Sequence, residues 1–552
     1  MRLRVLAAAA LACVVVVVLL ARDRPGGLRS WAAVPALDEI RAQDLAAQIR
    51  FLSDDLLEGR APSTRGGRLA ASYLASQLAT RGYEPAGDRG TYFQDVAIVE
   101  SVVEPTFMLR AGTGAPLQYP RDVVAFTDRQ EPRVDVSGEI VFVGHGIVAP
   151  EYRWNDYAGV DMKGKVALIM VNDPPATSGE PQLFGGRAMT YYGRWTYKYE
   201  EAARQGAAGA ILIHTPESAT YPWQVVQASW TGTLYSLPAT ASEPALGLKA
   251  WVTNEAAVDI VRRAGKDLES LRRAALVRGT APQPLGIRVS ATLRQRVEQR
   301  TSQNVVGVLK GTTPTEGVIF SAHYDHLGMS VSTPGEPAGA DHVFNGAFDN
   351  ASGVAGTLEV AEAFARAPAR PRRSIYVVFP TAEESGLLGS AWFATHLPLP
   401  ASAWAANVNI DGLNLSGPAR DLVLLGAERS SIGATASVLA ARHRRVLGLD
   451  PEPERGYFFR SDHFSFAKVG IPAVSVGESA DFIGQDPAFA RRVHDAFNEK
   501  RYHQPSDEIQ PDWNYEGAVQ DLRLLVELGW RLANDPAMAR YNPNEQFARP
   551  RP

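Results

Sequence analysis

Apolar residues recur at three- and four-residue steps in LDEIRAQDLAAQIRFLSDDL from Leu37, and again in RLAASYLASQLATRG, where Gly82 stands as a C-cap. Both segments read as amphipathic helices. Between 105 and 285 the pattern changes. Short β-type runs such as GEIVFVGHGIV and KVALIMVND alternate with turns, and YEEAARQGAAGAILIHT reads as helix, glycine turn and strand. After Gln303 strands and helices alternate. GVIFSAHYD, RSIYVVFPTAEE, WAANVNIDG and GIPAVSVGE read as strands; NASGVAGTLEVAEAFARA, SGLLGSAWFATHL, SIGATASVLAARHRR and DLRLLVELGWRLAND read as helices. Strands separated by helices imply an α/β fold, with a mainly parallel mixed sheet and helices on both faces. The 105–285 stretch is expected to form a β-rich α+β insert within it.

The N-terminus breaks this pattern. Arg2 and Arg4 precede an unbroken apolar run, Val5 to Ala21, which Arg22-Asp23-Arg24 ends. This reads as a secretory signal or an uncleaved signal anchor, and the run is slightly short of the ~20 residues of a spanning helix. The expectation is an exported protein, periplasmic or extracellular, with membrane attachment through this segment as one outcome. The expected divisions are 1–24 signal or anchor, 25–36 linker, 37–104 first part of the main domain, 105–285 insert, 286–540 second part, and 541–552 disordered tail.

Composition narrows the chemistry. A chain of 552 residues is too long for one core. The net charge of -4 carries no basic excess, which argues against nucleic acid as a partner. The one cysteine, Cys13, lies in the N-terminal apolar run. A mature chain would have no disulfide, no thiolate ligand and no cysteine nucleophile, so a metal site must use His, Asp and Glu. A serine hydrolase is disfavoured because no Gly-x-Ser-x-Gly elbow precedes a helix in the right context.

Five segments supply such groups, mostly at strand ends: SAHYDH, GAFDNASG, TAEESG, NIDG and YHQPSDE. Ligands of open α/β sheets gather outside the carboxyl ends of the strands. Each segment also has an ordinary reading. His323-Tyr324-Asp325-His326 could be a satisfied polar turn, Asp349-Asn350-Ala351-Ser352 a helix N-cap, Glu383-Glu384 a solvated pair in a first turn, Asp411-Gly412 a simple turn, and His503 a loop residue. Together those readings need five coincidences on one rim. Two adjacent carboxylates after YVVFPTA are costly to gather near other acids unless cations neutralise them. Two zinc ions account for the inventory, since zinc takes imidazole nitrogen and carboxylate oxygen, and two ions ~3.5–4 Å apart need a bridging carboxylate. Asp325 then fits as the acceptor that orients the His323 ring. His145 and His214, in the insert, read as structural histidines.

This set resembles the zinc aminopeptidases and related exopeptidases of metallopeptidase family twenty-eight, which includes glutamate carboxypeptidase II and the transferrin receptor. The resemblance covers about 40–100 and 300–535. It implies two zinc ions per chain, with His323, Asp349, Glu384, Asp411 and His503 as ligands. Asp349 would bridge them, and Glu383 would be the general base. RSDHFSFAKVGIPAV, residues 460–474, is similar to the family segment beside the substrate pocket, where Asp462 and His463 fit either pocket or packing. Tyr457, Phe458 and Phe459 fit an apolar pocket or a core. KGKVALI and AARQGAAGAILI make the insert resemble a protease-associated domain, a cover or interaction surface. The implied activity is removal of N-terminal residues from peptide substrates. Alternatives are a carboxypeptidase or dipeptidase of the same family, a glutaminyl cyclase, and a non-catalytic receptor-like binding protein.

Overall fold

The structure, a computed structural model, describes residues 36–240, 244–330, 337, 339–543 and 545–548. The expected signal or anchor, 1–24, lies outside the described residues, as do 25–35 of the linker and 549–552 of the tail. Among the described residues no helix is long and apolar enough to cross a membrane.

Four parallel strands form the centre of the main sheet, in the order Arg373–Phe379, Thr313–Ser321, Trp404–Asn409 and Ala473–Gly477. Antiparallel strands flank them. On one side lie the long strand Gln283–Leu309, then Phe93–Val103, then Thr233–Ser236. On the other, Asp421–Leu425 pairs with Ala473–Gly477 and carries Val446–Gly448 at the edge. This is the expected α/β architecture.

The central strands are buried, save the start of one, Thr313–Glu316, and Gly477. Alternate side chains enter two separate cores. Val318, Phe320, Ile375, Val377 and Phe379 face one, with Leu45, Leu74, Leu358 and Leu525 from covering helices. Ile319, Tyr376, Val378 and Trp404 face the other, with Phe393, Phe464 and Phe466. Period-two strands with both faces apolar are what helices on both sides require. Helix Arg65–Thr80 is capped by Thr64, whose Oγ1 accepts from the Gly67 N–H at 3.2 Å. Helix Glu516–Asn534 lies so close to the sheet that a Cβ on Gly529 would stand 2.3 Å from the Phe320 ring.

The insert builds a second sheet with its own cores. Its parallel strands Val166–Met170, Gly209–Ile213 and Leu248–Val252 continue into antiparallel Val123–Phe126 at one end and parallel Arg133–Phe142 at the other. The long strand Gln283–Leu309 belongs to both sheets. It pairs with Arg133–Phe142 as far as Arg294, then with Phe93–Val103 from Gln295. The expected division at 285/286 therefore falls inside a continuous strand, and Val289, Ala291 and Leu293 pack in the insert's core. One insert segment, Thr233–Ser236, returns to the main sheet.

The tail differs from expectation. Residues 541–552 read as disordered from composition, yet Tyr541 Oη donates to the Ile471 carbonyl at 2.9 Å. Phe547 packs against Phe458 and Phe464, and Glu545 pairs with Arg429 at 2.9 Å. Two aromatic anchors bury enough surface to hold a polar segment.

Candidate metal centre

Because the four central strands run parallel, their carboxyl ends share one edge. His323 follows Ser321 by two residues, Asp411 follows Asn409 by two, and Glu383 and Glu384 stand on the turn after Phe379. Sheet-like pairing continues past the strand ends, with the Tyr324 N–H donating to the Pro380 carbonyl at 3.1 Å. Side chains then lock the loops together. Asp325 Oδ1 accepts from the Glu383 N–H at 3.1 Å. Asn350 Oδ1 accepts from Gly353 and Gly412, both at 2.9 Å, and its Nδ2 donates to the Ile410 carbonyl. Asp507 accepts from the N–H groups of Phe348 and Asp349 at 3.1 and 3.0 Å. Ala382 and His503 adopt left-handed φ values of 55° and 56°. Such strain costs of order 1–3 kcal/mol per residue and persists only where the surroundings over-determine it.

His323, Asp349, Glu383, Glu384, Asp411 and His503 converge at this edge. The two oxygens of Asp349 divide the cluster. Oδ1 lies 3.3 Å from His323 Nε2, which is 3.2 Å from Asp411 Oδ1. Oδ2 lies 3.6 Å from His503 Nε2, which is 3.0 Å from Glu384 Oε2. Ligands of a tetrahedral zinc at ~2.0–2.1 Å stand about 3.3 Å apart. The separations are therefore those of donors arranged around an ion, on both sides of one carboxylate. Glu383 Oε2 is farther out, 4.0 Å from His323 Nε2.

Electrostatics agrees with the donor set. Seven carboxylates (Asp325, Asp349, Glu383, Glu384, Asp411, Asp462 and Asp507) crowd around three imidazoles and buried Arg60. Arg60 is spent on the carbonyls of Leu52, Tyr324, Asn345 and Gly346. Burial opposes charge on His323, yet Glu383, Asp349 and Asp411 hold its pKa well above the ordinary value. Burial likewise opposes charge on His503, and Glu384 and Asp349 raise it to about 10. For Glu384, burial and Asp349 raise the pKa, but His503 and His326 outweigh them and bring it to about 2. Burial pushes Glu383 well above the carboxylate range, helped by Asp411 and Glu384. A carboxylate excess of this kind, with acceptor atoms facing one another, suits bound cations.

Three details go beyond the sequence reading. His326 joins the cluster, with Nδ1 2.5 Å from Glu384 Oε1. That separation is a direct hydrogen bond, which holds Glu384 through Oε1 and leaves Oε2 facing His503. The Asp325 carboxylate is 3.9 Å from His323 Nδ1, and the Asp325 carbonyl, at 3.2 Å, stands nearer. Asp462 and His463 are fully buried behind the pocket wall, where His463 packs on Phe458 and burial lowers its pKa to about 3. Of the aromatic run, Tyr457 reaches the pocket, whereas Phe458 and Phe459 pack in a core. In the insert, His145 and His214 bond the carbonyls of Asn172 and Tyr221.

The cluster opens into a cavity of about 390 Å³. Leu413, Leu415, Val423, Leu425, Val476 and Phe482 make it largely apolar. Glu452 and Glu478 lie on its far wall with His494 between them, 3.4 and 2.7 Å away.

Imidazole and carboxylate donors thus gather at the carboxyl edge of the parallel strands of an α/β sheet, beside an apolar pocket, in groups that could hold a metal ion. Residues 304–526 match Peptidase family M28, and the chain carries a domain of that family. It is 32% identical over 134 residues to Aminopeptidase NAALADL1 of Mus musculus, covering 23% of this chain and 16% of that one. It is 27% identical over 183 residues to Leupeptin-inactivating enzyme 1 of Streptomyces exfoliatus, covering 33% and 37%. The chain thus matches well under half the length of these curated relatives. Among solved structures it is similar in fold to an aminopeptidase from Aneurinibacillus sp. strain AM-1, with a TM-score of 0.51 and 21% identity over 92% of this chain and 98% of that one.

Proposed function

We propose that this protein is a two-zinc aminopeptidase. The observation that carries the reading is the division of Asp349, whose two oxygens face two separate donor pairs, His323 with Asp411 and His503 with Glu384. Zinc ions held there would supply Lewis acidity toward the scissile carbonyl and toward an attacking water. Glu383 is the general base. It lies beside the donors without being among the nearest, and burial raises its pKa well above the carboxylate range, which favours proton uptake. It takes the proton of the attacking water and passes it to the leaving amine. His326 holds Glu384 in place, and Asp507 and Asn350 hold the Asp349 loop.

The pocket supports an N-terminal rather than a C-terminal substrate end. Its titratable lining is dominated by acids, Asp450, Glu452 and Glu478 beside the cluster itself. Of its arginines, Arg460 is tied to Thr220 Oγ1 at 2.7 Å. A free α-amine is attracted there, and a C-terminal carboxylate is repelled. The apolar wall suits aliphatic or aromatic first residues. The insert reads as a protease-associated cover, and the N-terminal apolar run supports export. Hydrolysis of leucyl- and N-acetyl-leucyl-p-nitroanilide tests the reading. Release from the free amine alone supports it, and equal release from both contradicts an aminopeptidase.

A further inference from the structure

The nearest neighbour of the metal-facing imidazole on its other side comes from the insert. Ser229 Oγ is 2.8 Å from His503 Nδ1. With an ion held at Nε2, the neutral ring would carry its proton on Nδ1, which would then donate to Ser229 Oγ. Ser229 lies in the helix Trp223–Trp230, and both ends of its segment are pinned to the main domain. Upstream, Arg455 and Arg460 donate to the Thr220 carbonyl and to Thr220 Oγ1. Downstream, Thr233–Ser236 pairs in register with Val99–Val102 of the main sheet. The serine is therefore held against the imidazole by two attachments that do not involve the metal cluster.

We propose that Ser229 is a positioning residue for His503, and that the insert segment Ala219–Ser236 is part of the metal centre rather than only a cover. The inference rests on the two-zinc reading. An imidazole ligand needs its second nitrogen bonded to fix tautomer and ring direction, and loss of such a partner typically lowers metal affinity about 10–100-fold. In this chain the partner is supplied from a helix of the insert, which couples seating of the insert to retention of the ion on the His503 side.

The test is a zinc titration of the full-length protein in competition with a chromophoric chelator, comparing wild type, Ser229→Ala, Ser229→Thr and Ser229→Val. Alanine is well suited to a helix, so that variant is expected to fold. Expected are two zinc ions in wild type and Ser229→Thr. In Ser229→Ala and Ser229→Val one ion is loosened about 10-fold or more while the other is unchanged. Wild-type titration in both hydroxyl-free variants overturns the inference and leaves the two-zinc reading standing. So does equal weakening of both ions, which marks a general structural effect. Failure of wild type to bind two ions overturns the underlying reading and the inference with it.

Discussion

Replacement of Glu383 by glutamine separates base from ligand. The change removes a charge and keeps the side-chain shape, and the Glu383 N–H still donates to Asp325 Oδ1. Its Oε2 stands 4.0 Å from His323 Nε2, against 3.2 Å for Asp411 and 3.3 Å for Asp349. Both ions are therefore expected to stay. Loss of a positioned general base lowers kcat by about 10²–10⁴, or about 3–5 kcal/mol of barrier. The metal-free protein responds differently. There Glu383 has a raised pKa because of burial, so its contribution to stability is present at low pH and is lost as pH rises through the folded value. Glutamine removes that loss, and the metal-free variant at pH 8 is expected to melt at or above the wild-type temperature. The assays are kcat on an aminoacyl-nitroanilide, metal content by mass spectrometry, and thermal melting after chelation. A kcat within tenfold of wild type with two ions bound places the base elsewhere. Loss of an ion makes Glu383 a ligand.

Other substitutions test the framework around the site. Burial raises the Glu359 pKa to about 7 from the ordinary 4.5, a shift worth about 3 kcal/mol. Its contribution is complete below the unfolded value and lost as pH rises through about 7, so Glu359→Gln should gain on wild type in urea denaturation at pH 8 and not at pH 4. Asp507→Ala strands the N–H groups of Phe348 and Asp349, and should cost about 2–5 kcal/mol of stability by denaturant midpoint together with weaker zinc binding. Phe547→Ala removes the half-buried anchor of the C-terminal segment. It should cost about 1–2 kcal/mol and make 541–548 sensitive to limited proteolysis, with hydrolysis unchanged.

Much of the site was legible because the central strands are short apolar runs ending in polar residues. His323, Glu383, Glu384 and Asp411 each follow such a run, and parallel strands bring their ends to one edge. His503 follows no strand, and its place came through family resemblance. His326 lies in the same SAHYDH segment as His323, but nothing in the spacing shows that a second imidazole reaches Glu384. Asp325 was legible as a residue of the site, while its principal bond, to a backbone N–H on the neighbouring loop, depends on loop geometry. Ser229 left no signal, because it reaches His503 from a helix of the insert across 274 positions. The sheet boundary was read at a change of pattern, whereas one strand of 27 residues runs through it and changes partners. The tail was read from proline and arginine content, which conceals two aromatic anchors.

The account turns on two ions at one bridging carboxylate. Metal content of the purified protein, measured with aminoacyl-nitroanilide hydrolysis before and after chelation, tests it most directly. The account predicts two zinc ions per chain, loss of activity on chelation, and recovery when zinc is restored. Full activity in protein stripped of metal, or no bound metal after purification without chelators, contradicts it.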